Sequence, residues 1–175
     1  MAGRRALLGC ALLLPFALNG CGWAPLYADR ATAPGDAELR AIRVAPIPER
    51  IGQKLAIGLR QAFNPAGEPA PQRYLLRVLL ETTRLDLGVL PQGLGTRARF
   101  EVLANFSLAD VSNGAQLFSA SSHAAESFDI LANHYANVVA EEDARERAVE
   151  EISRDIATQL TLFLQRRAAQ AAGRP

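Results

Sequence analysis

Alternation of hydrophobic and polar positions is most regular in the middle of the chain and predicts a β-strand there. Apolar side chains occupy every second position on one side, and mostly polar ones lie between them, as expected for a strand with one covered face and one wetter face. Similar patterns predict a preceding strand over Tyr74–Val89 and a weaker following strand over 117–128. The apolar set of the central strand is Ala98, Phe100, Val102, Ala104, Phe106 and Leu108.

The strand over Tyr74–Val89 changes the phase of its alternation along its length. Because side chains alternate strictly between the two faces of a strand, this change predicts a bulge or bend near residues 82–84. Turn residues at 91–95 and Ser112-Asn113-Gly114 predict antiparallel hairpins between the strands. The two apolar sets are Leu76, Val78 and Leu80 in one phase and Leu85, Leu87 and Val89 in the other.

A helical period appears on either side of these strands and completes the fold prediction. Apolar residues spaced by three and four predict helices over Glu49–Phe63 and 135–167. Gly52 and Gly58, inside the first helix, indicate close packing on the sheet. A short strand over 42–47 contains a proline and is followed by another, which favours a sheet edge or a strand end. The order β-α-β-β-β-α predicts an α+β two-layer sandwich, with two helices on one face of a four-stranded, mostly antiparallel sheet.

The composition of the chain excludes several classes of protein. The 175 residues include 19 basic and 18 acidic side chains, so the chain lacks the basic excess that nucleic-acid binding needs. A hydrophobic content of 49% is too high for a disordered chain. The two cysteines, Cys10 and Cys21, exclude a disulfide framework and a cysteine-rich zinc site. We expect no cofactor and no metal; the acidic run at 141–143 suits the start of a helix better than a cation.

The N-terminus predicts export and lipid attachment. Residues 1–20 combine Arg4 and Arg5 with an apolar stretch too short to span a bilayer, which is typical of a signal peptide. Leu18-Asn19-Gly20-Cys21 resembles a lipobox, at which bacterial lipoproteins are cleaved and acylated on the cysteine. The alternative is an ordinary signal peptide cut nearby, which leaves Cys21 as a free thiol.

The predicted mature chain consists of one domain between two tails. Residues 21–41 read as the acylated cysteine and a tether, 42–165 as the α+β domain, and 166–175 as a flexible C-terminal tail. Gly22, rather than an aspartate, follows the cysteine. In enterobacterial sorting an aspartate there favours the inner membrane, so we expect the outer membrane.

Six short segments, spread over nearly all of the predicted mature chain, carry a resemblance to a known family through their sequences and their order. Together they resemble the LptE family of lipopolysaccharide-assembly lipoproteins, in the form typical of alphaproteobacteria. The segments are Cys21-Gly22-Trp23-Ala24-Pro25-Leu26-Tyr27, Val44-Ala45-Pro46-Ile47-Pro48-Glu49-Arg50-Ile51-Gly52-Gln53, Thr96-Arg97, Phe106-Ser107-Leu108-Ala109-Asp110, Tyr135-Ala136 and Ala140-Glu141-Glu142-Asp143-Ala144.

This resemblance implies a location, a partner and a ligand. LptE-like proteins are plugs in the lumen of an outer-membrane β-barrel, LptD, and the two proteins deliver lipopolysaccharide to the outer leaflet. The resemblance also implies contact with lipopolysaccharide and no catalysis. A barrel lumen is polar, so the polar face of the predicted sheet is suited to contact with the lumen wall.

Arginines on the predicted sheet are the candidates for contact with the phosphates of lipopolysaccharide, because guanidinium groups bind phosphate in bidentate fashion. Arg97 and Arg99 lie beside the turn at 91–95, and Arg84 and Arg77 are further candidates. The alternative is a solvated strand face whose arginines pair with neighbours such as Glu101.

Two other function classes remain open from the sequence. One is an auxiliary lipoprotein of a lipid-transport ABC system, which can share a short α+β domain and a tethered N-terminus. The other is a membrane-tethered periplasmic hydrolase, for which Ser121 and His123 are the candidate residues. No nucleophile-elbow motif accompanies that serine.

Overall fold

The structure, a computed structural model, describes residues 36–65, 67, 71–89 and 95–173. The predictions for the signal peptide, Cys21, most of the tether and the turn at 91–94 lie outside these residues. The elements are α1 (Asp36–Arg40), β1 (Ile42–Val44), α2 (Glu49–Phe63), β2 (Tyr74–Val89), β3 (Gly95–Asp110), β4 (Gln116–Asp129) and α3 (His134–Ala171).

The strands form one open sheet in the order β1-β2-β3-β4. β1 pairs with β2 in parallel, and the two later pairings are antiparallel. Buried side chains of α2 and α3 join the core with those of one sheet face. The predicted α+β architecture is therefore confirmed, and β1 lies at a sheet edge.

The core forms between the regular side of β3 and a stripe along α3. All six apolar residues predicted to share one face of β3 are buried. α3 contributes a buried side chain at every fourth position, and Leu55, Leu59 and Phe63 of α2 complete the layer. The α3 residues are Ala144, Ala148, Ile152, Ile156, Leu160 and Leu164.

The two glycines of α2 mark close contacts, but not with the sheet. A Cβ at Gly52 would lie 2.6 Å from Cγ2 of Ile47, which precedes the helix, and one at Gly58 would lie 3.0 Å from Oγ of Ser153 on α3. Close packing is therefore confirmed, whereas helix-on-sheet contact at these glycines was the wrong prediction. The glycines let α2 approach its own preceding loop and α3.

The predicted bulge in β2 is wrong. β2 and β3 pair residue for residue from Tyr74 opposite Asp110 to Leu87 opposite Arg97. Leu85 and Leu87 of the second phase lie on the sheet face away from the helices, where Leu85 is 42% exposed. The register shift in the sheet instead lies at Leu108 and Ala109, between β3 and β4.

Three boundaries differ from those predicted. β1 is three residues long and ends at Val44, before the prolines. The short helix α1 occupies the last part of the segment predicted as a tether. α3 continues to Ala171, so much of the predicted C-terminal tail is helical, and its N-cap is Asn133, whose side chain accepts hydrogen bonds from two backbone N–H groups.

Candidate functional site

The sheet face away from the helices has no covering element in the part of the chain that the structure describes. Side chains at odd-numbered positions within 75–87 of β2, 97–107 of β3 and 119–129 of β4 lie on this face, opposite to the even-numbered positions that carry the core residues. We call it the open face. Most of its exposed side chains are polar: Arg77, Glu81, Thr83, Arg97, Arg99, Asn105, Ser119, Ser121, His123 and Ser127.

Arg97 and Arg99 both lie on the open face, near the β2–β3 turn, and both have acidic partners. Nε of Arg97 donates to Oδ1 of Asp129 at 3.1 Å, and these side chains are 60% and 64% exposed. A guanidinium nitrogen of Arg99 lies 3.7 Å from Oε1 of Glu101. Exposed pairs of this kind contribute about 0 to 1 kcal/mol, so a stronger anionic ligand can displace them.

The other two candidate arginines lie elsewhere. Arg77 is on the open face, but it pairs with Ser107, ten positions along β3 from Arg97 and therefore roughly 33 Å away along the strand. Arg84 lies on the helix side, where it forms ion pairs with Asp86 at 3.1 Å and with Glu141 of α3 at 3.8 Å. The structure therefore brings only Arg97 and Arg99 together.

Ser121 and His123 lie two positions apart on β4, and both are exposed on the open face. Neighbours at this spacing on one strand project in the same direction. Within the described residues, no group of three or more histidine, cysteine, aspartate and glutamate side chains could hold a metal ion.

A charged cluster between α2 and α3 was not among the sequence predictions. Nζ of Lys54 donates to Glu142 at 2.7 Å and to Glu146 at 2.6 Å, and Arg50 lies 3.5 Å from Glu142. Arg50, Lys54 and Glu142 border a cavity of about 220 Å³ that Phe100 also lines. The sequence features that could have indicated this cluster are the single lysine of the chain and two glutamates four positions apart on one helix face.

This cluster gives the domain a predictable response to acid. The pKa of Glu142 is lowered, chiefly by the hydrogen bond from Lys54, and the pKa of Lys54 is raised by its hydrogen bonds to Glu142 and Glu146. A lowered carboxyl pKa stabilises the fold above the unfolded-state pKa, and this contribution is lost as the pH falls through the lowered folded-state value. The contribution of Lys54 is present below its unfolded-state pKa and is lost only as the pH rises past its raised one.

We therefore expect Lys54→Met to lower the free energy of unfolding at neutral pH by about 1 kcal/mol or less. The free energy of unfolding of this variant should also decrease less as the pH falls, because the ion pair that acid disrupts is already absent. Urea unfolding followed by circular dichroism at about pH 7 and about pH 3 measures both effects. Arg43→Met is the control, because Arg43 is exposed and donates to the neutral side chain of Gln72. An acid profile of Lys54→Met that runs parallel to that of the unsubstituted chain contradicts the prediction.

None of the described helices is long and apolar enough to cross a membrane. No model of a known protein family matches the chain. No curated protein sequence matches it either.

Solved structures do resemble the chain. A candidate lipoprotein from Caulobacter crescentus is 26% identical, with a TM-score of 0.62 over 74% of this chain and 94% of its own. A minor lipoprotein from Acinetobacter baumannii is 17% identical, with a TM-score of 0.52 over 69% of this chain and 88% of its own. Rare lipoprotein B from Shewanella oneidensis aligns over 67% of this chain and 92% of its own, at 14% identity and a TM-score of 0.46. The first two likenesses show that the domain has a fold found in bacterial lipoproteins.

Proposed function

We propose that this protein is an outer-membrane lipoprotein, anchored through Cys21, that plugs an LptD-type β-barrel. In this role it assists assembly of the barrel and transport of lipopolysaccharide to the outer leaflet, without catalysing a reaction. The observation that carries the proposal is the open face: a largely polar surface on three paired strands, in a domain with a fold found in bacterial lipoproteins. The lipobox-like segment before Cys21 and the ordered resemblance to LptE support the same reading.

The open face has the chemistry that a barrel lumen requires. The lumen of a transmembrane barrel is polar, while its apolar band faces the lipid. Hydroxyl, amide and charged side chains spread across three paired strands offer hydrogen bonds to such a wall. The backbone ladder already orders the main chain that carries them, so binding costs the entropy of the side chains but not that of the backbone.

For lipopolysaccharide, the proposal retains Arg97 and Arg99 as the phosphate contact. They lie two positions apart on β3, on the open face, and each forms an ion pair with one carboxylate, Asp129 for Arg97 and the half-buried Glu101 for Arg99. A phosphate carries more charge than one carboxylate and accepts two parallel N–H bonds from a guanidinium group. Arg77 is too distant along the strand to join this contact, and Arg84 lies on the helix side of the sheet.

Capture of the barrel is the direct test. A tagged full-length chain is purified from gently solubilised outer membranes, and the proteins that accompany it are identified by mass spectrometry. We expect one large β-barrel protein in near-stoichiometric amount. Asn105→Arg, in the centre of the open face, should lower the captured amount about tenfold, the effect of about 1.4 kcal/mol. Gln170→Arg, an exposed amide near the end of α3, is the control and should leave capture unchanged.

Two outcomes count against the proposal. If the protein is membrane-anchored and no barrel accompanies it, the plug function is wrong. Copurification with an inner-membrane ATPase system would instead support the auxiliary lipoprotein of a lipid-transport ABC system.

A further inference from the structure

The cavity between the start of α2 and the first half of α3 lies on the helix side of the sheet. Its volume is about 220 Å³, below the roughly 300 to 1,000 Å³ of pockets that enclose whole small-molecule ligands. Phe100 and Val149 supply apolar lining, and Thr82 adds a hydroxyl group. A cavity of this size and lining suits one small polar group with a short organic part.

Three basic side chains that line the cavity converge on one carboxylate. Nζ of Lys54 donates to Oε1 of Glu142 at 2.7 Å, and a guanidinium nitrogen of Arg50 lies 3.5 Å from the same oxygen. A guanidinium nitrogen of Arg145 lies 3.6 Å from Oε2 of Glu142. The lining has one further acidic residue, Glu49, so its basic groups outnumber its acidic groups by three to two.

The carboxylate of Glu142 satisfies these cations only in part. The contacts from Arg50 and Arg145 are longer than the roughly 2.7 to 3.2 Å of an N–H···O hydrogen bond. A phosphate monoester carries a charge of about −1.5 to −2 near neutral pH and has three strong acceptor oxygens. It therefore offers one oxygen to each of the three cations, whereas a carboxylate has only two oxygens and a single charge.

Other contacts hold two of the cations in place independently of the central carboxylate. Nζ of Lys54 also donates to Glu146 at 2.6 Å, and Arg145 also bonds to Glu141. Neither of these glutamates lines the cavity. The guanidinium group of Arg145 lies 5.4 Å from the ring centroid of Phe100, whose face attracts a cation. Such prior positioning lowers the cost of binding an anion.

We propose that this cavity binds a phosphate monoester, with Arg50, Lys54 and Arg145 contacting its oxygens. Glu142 occupies the position of the phosphate and is its internal competitor, so it must turn aside when the ligand binds. The chemistry is the same whether the phosphate belongs to a small soluble molecule or to a lipid headgroup. The inference goes beyond the plug function, because the cavity and the open face lie on opposite sides of the sheet.

Equilibrium dialysis of the full-length protein in detergent against radiolabelled glycerol 3-phosphate tests the proposal. This probe is a soluble phosphate monoester with a short organic part. The ionic strength is held constant, because surface charges respond to salt. We expect saturable binding with a Kd of about 1 mM, which is weak because the ligand must displace a carboxylate.

Removal of one cation should weaken this binding. We expect Arg50→Met to raise the Kd about tenfold or more, because one of the three contacts to the phosphate is lost. The side chain of Arg50 is 80% exposed, so the fold does not depend on it. Arg60→Met is the matched control, since Arg60 is an exposed cation near the other end of the same helix, and it should leave the Kd unchanged. Lys54→Met is a second variant that removes a cation from the cavity.

Removal of the internal competitor should have the opposite effect. Glu142→Gln keeps the size of the side chain and removes its charge, so we expect it to lower the Kd about tenfold. A glutamate that served only as a structural partner of Lys54 would not have this effect when replaced. Glu150→Gln is the control for the loss of a negative charge, because Glu150 is exposed on the same helix and does not line the cavity.

Lipid nanodiscs that hold the full-length protein distinguish the two sources of phosphate. One set of phosphatidylcholine discs contains phosphatidic acid, whose headgroup is a phosphate monoester. A second set contains phosphatidylglycerol, a phosphodiester that also gives the surface a negative charge. Weaker binding of glycerol 3-phosphate in the first set alone identifies a lipid headgroup as an occupant of the cavity. Equal binding in the two sets assigns the cavity to soluble phosphates.

Three results overturn the proposal. The first is the absence of saturable binding of glycerol 3-phosphate to the unsubstituted chain. The second is a Kd that Arg50→Met and Lys54→Met leave unchanged, or that Arg60→Met raises as much as they do. The third is a Glu142→Gln variant that binds no more tightly than Glu150→Gln. Any of these results, obtained while the barrel is still captured, contradicts this site and leaves the plug function standing.

Discussion

Cys21→Ala is expected to remove the lipid anchor, so that membranes washed with urea, which releases proteins held only by protein contacts, no longer retain the protein. The proposed function attaches acyl chains to this cysteine, and each buried methylene contributes about 0.8 kcal/mol, so several chains hold a protein far more firmly than one. Membrane fractionation followed by immunoblotting measures the change, and mass spectrometry of the N-terminal peptide identifies the acyl groups.

Cys10→Ala is a matched control from the same chain. It lies inside the predicted signal peptide and is removed by cleavage before Cys21, so it should leave the distribution unchanged. Equal distributions of the two variants would show that the lipobox reading is wrong, and Cys21 would then be the free thiol of the alternative reading.

Leu160→Ala is expected to lower the free energy of unfolding by about 2 to 5 kcal/mol. Leu160 is fully buried in the stripe of α3, so truncation removes apolar contacts and leaves a cavity under the helix. That loss is a large part of the stability of a domain of this size. Urea unfolding of the two proteins under the same conditions measures it.

Leu162→Ala provides the comparison on the same helix. Leu162 is 36% exposed, so the same truncation removes much less buried surface and should cost under about 1 kcal/mol. Similar losses for the two variants would mean that the face of α3 assigned to the core is incorrect.

The elements that the sequence predicted well are those with a sustained period. The bounds of α2 and β2 agree with the prediction, and the alternation of β3 identified its buried face residue by residue. Burial on one face imposes these periods, so they are readable without the structure. α1 has only five residues, too few to display a helical period.

The candidate phosphate site was less predictable, because it depends on which face each strand residue occupies. A bulge near residues 82–84 would have changed the face of the following residues, but the pairing is continuous, and Arg84 lies on the helix side. Alternation alone does not distinguish a bulged strand from a straight strand with apolar residues on an open face. The contact of Lys54 with Glu142 joins residues 88 positions apart, which no local pattern encodes.

The order of the strands in the sheet is their order along the chain. Each sheet pairing therefore joins consecutive strands, and closing the intervening loops costs little entropy. The helix that covers β3, however, is the last element to be synthesised. Until α3 has emerged, the six apolar side chains on one face of β3 therefore lack the helix against which they pack in the finished domain. The protein is therefore more prone to aggregation during this interval than after the domain has folded.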